Sequence, residues 1–314
     1  MGAPLIRRVA ATVPLLLLIS AGVFGLLHLV PGGPLAVYLS NPDVRPEDLE
    51  RLRRSLGLDQ PVWRQYLQWL GGFLAGDWGF SYSDGRPVVE RVVERLPATL
   101  ELVTASLVLA ALLTAPLGLA AALSRGWPGR VASFVSFAGL ALPVFWFGLV
   151  LQLVFSLGLG WLPSSGRTTP GFGGLADRVS HLVLPATMLA AVHAAAWSRY
   201  LRAAVMDTSA QPFVSAARAR GVPAGVVMAQ HVLRPALLPV VTIVLLDAAL
   251  MVAGTVVTES VFAWPGLGSL FTEALARRDY TVLMALLMVA SIAVVIANLI
   301  ADLVYPLIDP RVRL

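Results

Sequence analysis

The residues of this 314-residue chain that could do chemistry are few and stand apart from one another. Asp247 lies alone near the middle of a long apolar run between Arg234 and Glu259. A charge facing lipid at that depth costs ~2.5–3.5 kcal/mol on the insertion scale, so such acids turn toward a protein interior or an aqueous cavity. Asp247 therefore has two readings. It lines a substrate path, meeting an ammonium group or a water chain, or it makes an interhelical hydrogen bond or pairs with a second subunit. Glu259 and Glu101 fall at the ends of apolar runs, where water is available; Glu259 is the second path candidate, and its plainer reading is an interface residue. His193, inside another apolar run, reads as a hydrogen-bonded core residue. Hydrolysis would need a nucleophile with its base or a metal cluster, and neither HExxH nor GxSxG occurs.

Missing residue types exclude more. All 23 Lys+Arg residues are Arg. Without Lys there is no P-loop lysine to hold nucleotide phosphates and no Schiff-base amine. With no Cys, thiol catalysis, thiolate metal sites and disulfides are excluded, and four scattered His make no metal centre. No metal site and no catalytic residue is expected, and the chain is not expected to be an enzyme.

Only 13% of residues are charged and 57% are hydrophobic, against ~25% charged in soluble domains. The chain reads as an all-α integral membrane protein. Spanning ~30 Å of hydrocarbon takes ~20 apolar residues in a helix, and six stretches qualify. They are Val9 to Val30, Leu102 to Leu123, the run Val131 to Ser165 with Pro143 in its middle, and the stretches between Arg178 and Arg199, Arg234 and Glu259, and Asp279 and Asp302. Pro143, Pro185 and Pro239 are expected to kink helices or to begin them. Trp146, Trp197 and Trp264 are expected to pack or to anchor at interfaces.

Arginine placement sets the orientation. The side holding both termini receives Arg7, Arg8, Arg125, Arg130, Arg199, Arg202, Arg218, Arg220, Arg234, Arg311 and Arg313. The short opposite loops carry Arg167, Arg178, Arg277 and Arg278, offset by Asp177, Glu259, Glu273 and Asp279. Both termini are thus cytoplasmic. The first apolar run reads as a retained helix, being too long for a signal-peptide core. The net charge of +5 reflects topology, and no basic and aromatic face for nucleic acid is present. The expected organisation is a first helix over 1–30, an extracytoplasmic segment over 31–97, a five-helix core over 98–306 with a cytoplasmic loop at 205–234, and a tail over 307–314.

The segment 31–97 repeats an amphipathic pattern. Leu49, Leu52 and Leu56 share one face after Pro46. Trp63, Tyr66, Leu67, Leu70 and Leu74 follow Pro61, and Val88, Val89, Val92, Val93 and Leu96 come next. Such helices pack on the protein or lie in the lipid interface. The segment is either a structural cap or a docking surface for a delivering partner.

The loop between the fourth and fifth spans holds a short Ala-rich stretch, Val214, Ser215, Ala216, Ala217, Arg218, Ala219, Arg220 and Gly221. Gly221 is placed to end a helix and Pro223 prevents its continuation. Either small residues allow close approach by another protein while Arg218 and Arg220 bind acceptors on it, or the stretch packs beneath the bundle and the arginines enforce topology.

Ser215-Ala216-Ala217-x3-Gly221 resembles the EAA-x3-G cytoplasmic loop of ABC importer permeases, with Ser215 where the generic motif has Glu. Ala217 to Gly221, His231 and Leu237-Leu238-Pro239 resemble the dipeptide/oligopeptide branch of that family, with Arg234-Pro235 where the branch often has Arg-Asn. Further landmarks of the branch are similar along the whole chain: Pro31 to Pro34, Leu56 to Pro61, Gln65-Tyr66, Gly76-Asp77-Trp78-Gly79-x-Ser81, Thr258 to Gly268, Asp279-Tyr280 and Asp302 to Arg311. The resemblance implies a type I ABC importer permease fold, with six transmembrane helices and an outer amphipathic segment between the first two. It implies a multi-pass subunit of a prokaryotic cytoplasmic (inner) membrane that imports di- or oligopeptides by alternating access. Its partners would be a second homologous permease, two cytoplasmic ATPase subunits carrying ATP and Mg, and an extracytoplasmic substrate-binding protein. Val214, Ser215, Ala216, Ala217, Arg218, Arg220 and Gly221 would couple to the ATPase. Related permeases handle glutathione, nickel chelates or oligosaccharides. The rival from another class, an ion-coupled secondary transporter, would show an internal repeat, and none is evident.

Overall fold

The computed structural model describes residues 2–29, 45–55, 57–124 and 126–308. The Pro31 to Pro34 and Asp309 to Arg311 landmarks, Leu56, and the side chains of Leu49 and Leu52 lie outside the described residues. Within them the chain is nearly all helix, with one isolated bridge between Phe80 and Pro87. Five helices are long and apolar enough to cross a membrane, or six if one bent pair counts as a span.

The chain divides into two compact units. The first comprises Met1–Ala98 and Pro265–Val295. In it α1 (Gly2–Leu29), α2 (Pro46–Ser55) and α3 (Val62–Ala75) precede the start of α4 (Val88–Leu123), and α10 (Leu267–Ala276) and the start of α11 (Tyr280–Ile308) complete it. Helix α3 presents Tyr66, Trp69 and Phe73 on one face. They form an aromatic row with Phe24 of α1 and Trp78, with ring centroids 4.9–6.3 Å apart. Gly76, at φ +84°, ends α3 in the left-handed conformation that Gly adopts without steric cost, its N–H reaching back to the last carbonyls. A second core joins Val88 and Val92 of α4 to Leu270 and Ala274 of α10 and to Val282, Leu283 and Leu286 of α11.

The amphipathic run after Val88 is continuous with the second apolar stretch. Helix α4 passes through Pro97 without a break, so the change of composition at 97/98 falls inside one helix of 36 residues.

The second unit comprises Thr99–Trp264 and Ile296–Leu314. Its elements are the rest of α4, α5 (Trp127–Ala141), α6 (Val144–Leu151), α7 (Leu175–Ser209), α8 (Pro212–Ala219) and α9 (Arg234–Val261). The third apolar run is broken rather than kinked. α5 stops before Leu142, which is extended at ψ 133° as a residue preceding proline prefers, and α6 departs from Pro143 at 110° to α5. α6 relaxes into a π-helical stretch, Gln152–Gly158. A second π-helical stretch, Val227–Leu233, leads from the loop straight into α9. Pro185 and Pro239 lie inside α7 and α9, which continue through them. Glycine allows the close helix contacts here: a Cβ on Gly118 would meet Leu201 at 2.8 Å and one on Gly139 would meet Ala195 at 2.9 Å.

Candidate functional site

Helix α8 is set by its own termini. Gln211 is extended, and Pro212 occupies the first turn, where its missing N–H is not needed. At the other end the Gly221 N–H bonds the Arg218 carbonyl at 2.9 Å, and Gly221 takes φ +78°. Eight residues give two turns, so the faces separate cleanly. Val214 and Ala217, three apart, are completely buried against Leu201 and Val205 of α7, Val227 and Val232 of the π stretch, and Ala236 and Val240 of α9. Phe213, Ser215, Ala216, Arg218, Ala219 and Arg220 are exposed. Among the described residues neither Arg218 nor Arg220 forms an ion pair. One face of the loop packs against α7 and α9, and the other exposes small residues and two guanidinium groups.

Asp247 is half-buried on α9, and its Oδ2 accepts the indole N–H of Trp197 at 2.6 Å. Trp197 is fully buried, so its donor requires a partner. His193 lies one turn before Trp197 with ring centroids 5.6 Å apart. Its expected hydrogen bond is not formed within the described residues, and the indole supplies its contact instead.

Glu259 is fully buried and accepts from Thr99 Oγ1 at 2.8 Å, which ties α9 to α4. Twelve residues separate it from Asp247, about 18 Å along a helix, so the two do not form one site. Glu101 instead gathers two guanidinium groups, Arg167 at 2.5 Å and Arg178 at 3.4 Å. Trp264 packs, fully buried, whereas Trp146 is half-exposed. Among the described residues no group of three or more His, Asp or Glu is placed to hold a metal ion.

One organising residue carried no assigned task in the sequence. Asp279 in the first unit is fully buried. It accepts from Ser81 Oγ at 2.5 Å and from the Ser83 N–H at 3.2 Å, with Arg91 at 3.9 Å. Its Oδ1 also meets the Val282 N–H at 3.3 Å, which makes it the N-cap of α11. The signal available was an Asp immediately before an apolar helical run.

Two family descriptions match the chain. "Binding-protein-dependent transport system inner membrane component" covers residues 114–314, and the corresponding N-terminal description covers residues 1–103. The chain is 40% identical over 316 residues to the oligopeptide transport system permease protein AppB of Bacillus subtilis (strain 168), covering 99% of each chain. It is 35% identical over 309 residues to the glutathione transport system permease protein GsiC of Escherichia coli (strain K12), covering 98% of each. Among solved structures, an amino acid ABC transporter aligns with TM-score 0.56 and 15% identity over 69% of this chain and 94% of that one. The MetNI methionine ABC transporter in an inward-facing conformation aligns with TM-score 0.56 and 18% identity over 70% and 97%. At such identities the likeness is one of fold.

Proposed function

The chain belongs to the binding-protein-dependent transport system inner membrane components, the permeases of ABC importers, and from that membership we propose its cargo, its partners and the way it is driven. It moves di- and oligopeptides across the cytoplasmic membrane of a prokaryote by alternating access. The cargo reading is supported by full-length similarity to an oligopeptide permease and to a glutathione permease, glutathione being itself a tripeptide. A second permease subunit completes the path, a binding protein delivers the peptide, and two ATPase subunits supply the energy with ATP and Mg. Both termini and the loop at 205–234 face those ATPases; the segment 31–97 lies on the opposite side.

The observation that carries the coupling mechanism is the two-faced helix α8. Its buried pair, Val214 and Ala217, locks it to α7 and α9, so any displacement of α8 is transmitted to both long helices. Its exposed small residues, Ser215 and Ala216, fit a groove at close range, and Arg218 and Arg220 meet carboxylates or carbonyls on its rim. Gly221 ends the helix tightly enough for the chain to turn back toward α9. Closure of the ATPases on ATP then pulls α8, and α7 and α9 tilt with it. Asp247 presents its second carboxylate oxygen to the peptide path between the two permeases, and Glu259, tied to Thr99, supports the mouth of that path.

Uptake of a labelled tripeptide into proteoliposomes holding the assembled importer tests this. ATP-dependent uptake that stops when the Walker lysine of the ATPase is changed, and that persists without a proton gradient, is the expected result. Uptake that follows the gradient and ignores ATP overturns it.

A further inference from the structure

Helices α5 and α7 of the second unit run antiparallel and close together. Ser136 and Ser198 share a hydrogen bond at 2.8 Å, and a Cβ on Gly139 would meet Ala195 at 2.9 Å. At the end of this pair nearer α8 three arginines collect: Arg130 in the first turns of α5, and Arg199 and Arg202 one turn apart on α7. Little stands near them to neutralise their charge. No Asp or Glu lies between Glu101 and Asp177, and Asp207 is the only acid between Asp177 and Asp247. Among the described residues none of the three arginines forms an ion pair, with Asp207 or with any other acid.

Their surroundings differ. Arg130 and Arg199 are exposed. The Arg199 guanidinium lies over the Phe137 ring, 5.1 Å from its centroid. That contact steadies the long side chain and leaves its in-plane N–H donors available to an acceptor. Arg202 is partly buried, and its Nε is sealed from solvent without a partner, so it adds charge here rather than a contact.

The surface beside these cations is apolar and has the length of one leaflet. At ~3.6 residues per turn, Trp127, Arg130, Phe134 and Phe137 fall on one stripe of α5. The three aromatic residues are 69%, 73% and 54% exposed. Trp127 begins the helix, and indoles settle at the headgroup level of a bilayer. From Arg130 to Ala141, where α5 ends, the helix rises about 16 Å, roughly half of the ~30 Å of hydrocarbon. A soluble anion would meet the guanidinium groups and leave Phe134 and Phe137 uncovered. A lipid without net charge would cover the rings and leave the positive charge unmatched. An amphiphile with a net negative head matches both.

We infer that the α5–α7 face binds one anionic phospholipid in the leaflet on the α8 side, its phosphate accepting from Arg130 and Arg199 and an acyl chain lying along Phe134 and Phe137. Basic sites between spanning helices take anionic headgroups in this way. The bound lipid braces α5 against α7, the helix on which Val214 and Ala217 of α8 pack. The inference rests on the membrane placement of the chain and not on its cargo.

Photo-labelling of the full-length chain in phosphatidylcholine nanodiscs tests it, with a small fraction of phosphatidylglycerol carrying a diazirine in mid-chain. The label is expected on the α5 peptide holding Phe134 and Phe137, in excess over the peptide holding Ile296 and Ile300, half-exposed residues of α11 that report ordinary bilayer contact. Phosphatidylcholine bearing the same diazirine should label the two peptides alike. Arg130→Gln and Arg199→Gln should each lower the excess about fivefold, the weight of one basic residue at an anionic surface. Arg130→Lys keeps the charge and should retain most of it. Thermal unfolding of the variants controls for folding. Equal labelling by the two lipids, or labelling indifferent to both Gln substitutions, overturns the proposal and leaves the arginines with topology alone. So does loss of the label from this stripe in the assembled importer, which would assign the face to a partner subunit. Neither ATP nor substrate enters these measurements, so failure of the transport assignment leaves the inference standing.

Discussion

The indole N–H of Trp197 donates to Asp247 Oδ2 at 2.6 Å and fastens α7 to α9 at the helix pair that α8 is locked against. That bond is the interhelical reading of Asp247; the path reading rests on its other oxygen and is a proposal. Asp247→Asn keeps an acceptor for the indole and removes the charge. Assembly with the partner subunits should be unchanged, while peptide uptake falls about tenfold, the equivalent of ~1.4 kcal/mol. Asp247→Ala strands the Trp197 donor and should in addition lower the thermal midpoint, at a cost of about 1–3 kcal/mol. Full uptake by the Asn variant would leave the interhelical bond as the whole task of Asp247.

Substitutions on α8 should separate by face. Ala216 is exposed and Ala217 is fully buried. Ala216→Leu leaves the packing of the chain intact and should abolish co-purification with the ATPase at an unchanged thermal midpoint. Ala217→Leu overfills the core formed with Val205 and Val232 and should destabilise the chain by about 1–3 kcal/mol, with loss of coupling as a consequence. Co-purification measured beside thermal unfolding distinguishes them. An Ala216→Leu chain that still retains the ATPase refutes the assigned contact face.

The apolar runs and the ends of α8 were legible because they depend on local chemistry: run length, a proline at the first turn, a glycine just past the last. Separate faces on α8 were not legible, since Val214 is inside and Phe213 outside only because α7 and α9 stand where they do. The 110° break at Pro143 was half legible. A proline marks where a helix can yield, but the angle comes from how α6 packs beyond it. Continuity of α4 through Pro97 ran against the change of composition there, because apolar packing of Val88 and Val92 below and Leu102 above favours one helix. The bond from Trp197 to Asp247 and the tie from Asp279 to Ser81 were invisible in one dimension, as their partners lie 50 and 198 residues away; only the cap that Asp279 makes on α11 has a local signal.

Asp279 joins α11 to the loop before α4. Replacing it by Ala removes the acceptor for Ser81 and Ser83 together with the cap of α11, and leaves Arg91 without that carboxylate. A loss of about 3 kcal/mol is expected, read as earlier proteolysis within residues 57–87 at temperatures where α7 and α9 remain protected. Asp279→Asn, which retains an acceptor for the cap, should recover part of it. Equal proteolysis of the Ala variant and the wild type would mean that the buried network contributes nothing to the stability of this unit.

Glycines in the spans should respond with opposite signs according to what faces them. A Cβ on Gly148 would lie 2.5 Å from Met188 Sδ and 3.2 Å from Val261 Cγ1. Met188 is fully buried, so moving its thioether disturbs the packing around it. Gly148→Ala should therefore force α6 off α7, at about 1–3 kcal/mol for overpacking, which outweighs the ~1 kcal/mol that Ala gains over Gly in a helix. Gly25 in α1 has nothing within 4 Å of the same position. Gly25→Ala keeps only the propensity gain and should raise the thermal midpoint slightly. Unfolding of the two single variants in one detergent reads both signs, and a rise in both would show that α6 does not approach α7 as closely as Gly148 permits.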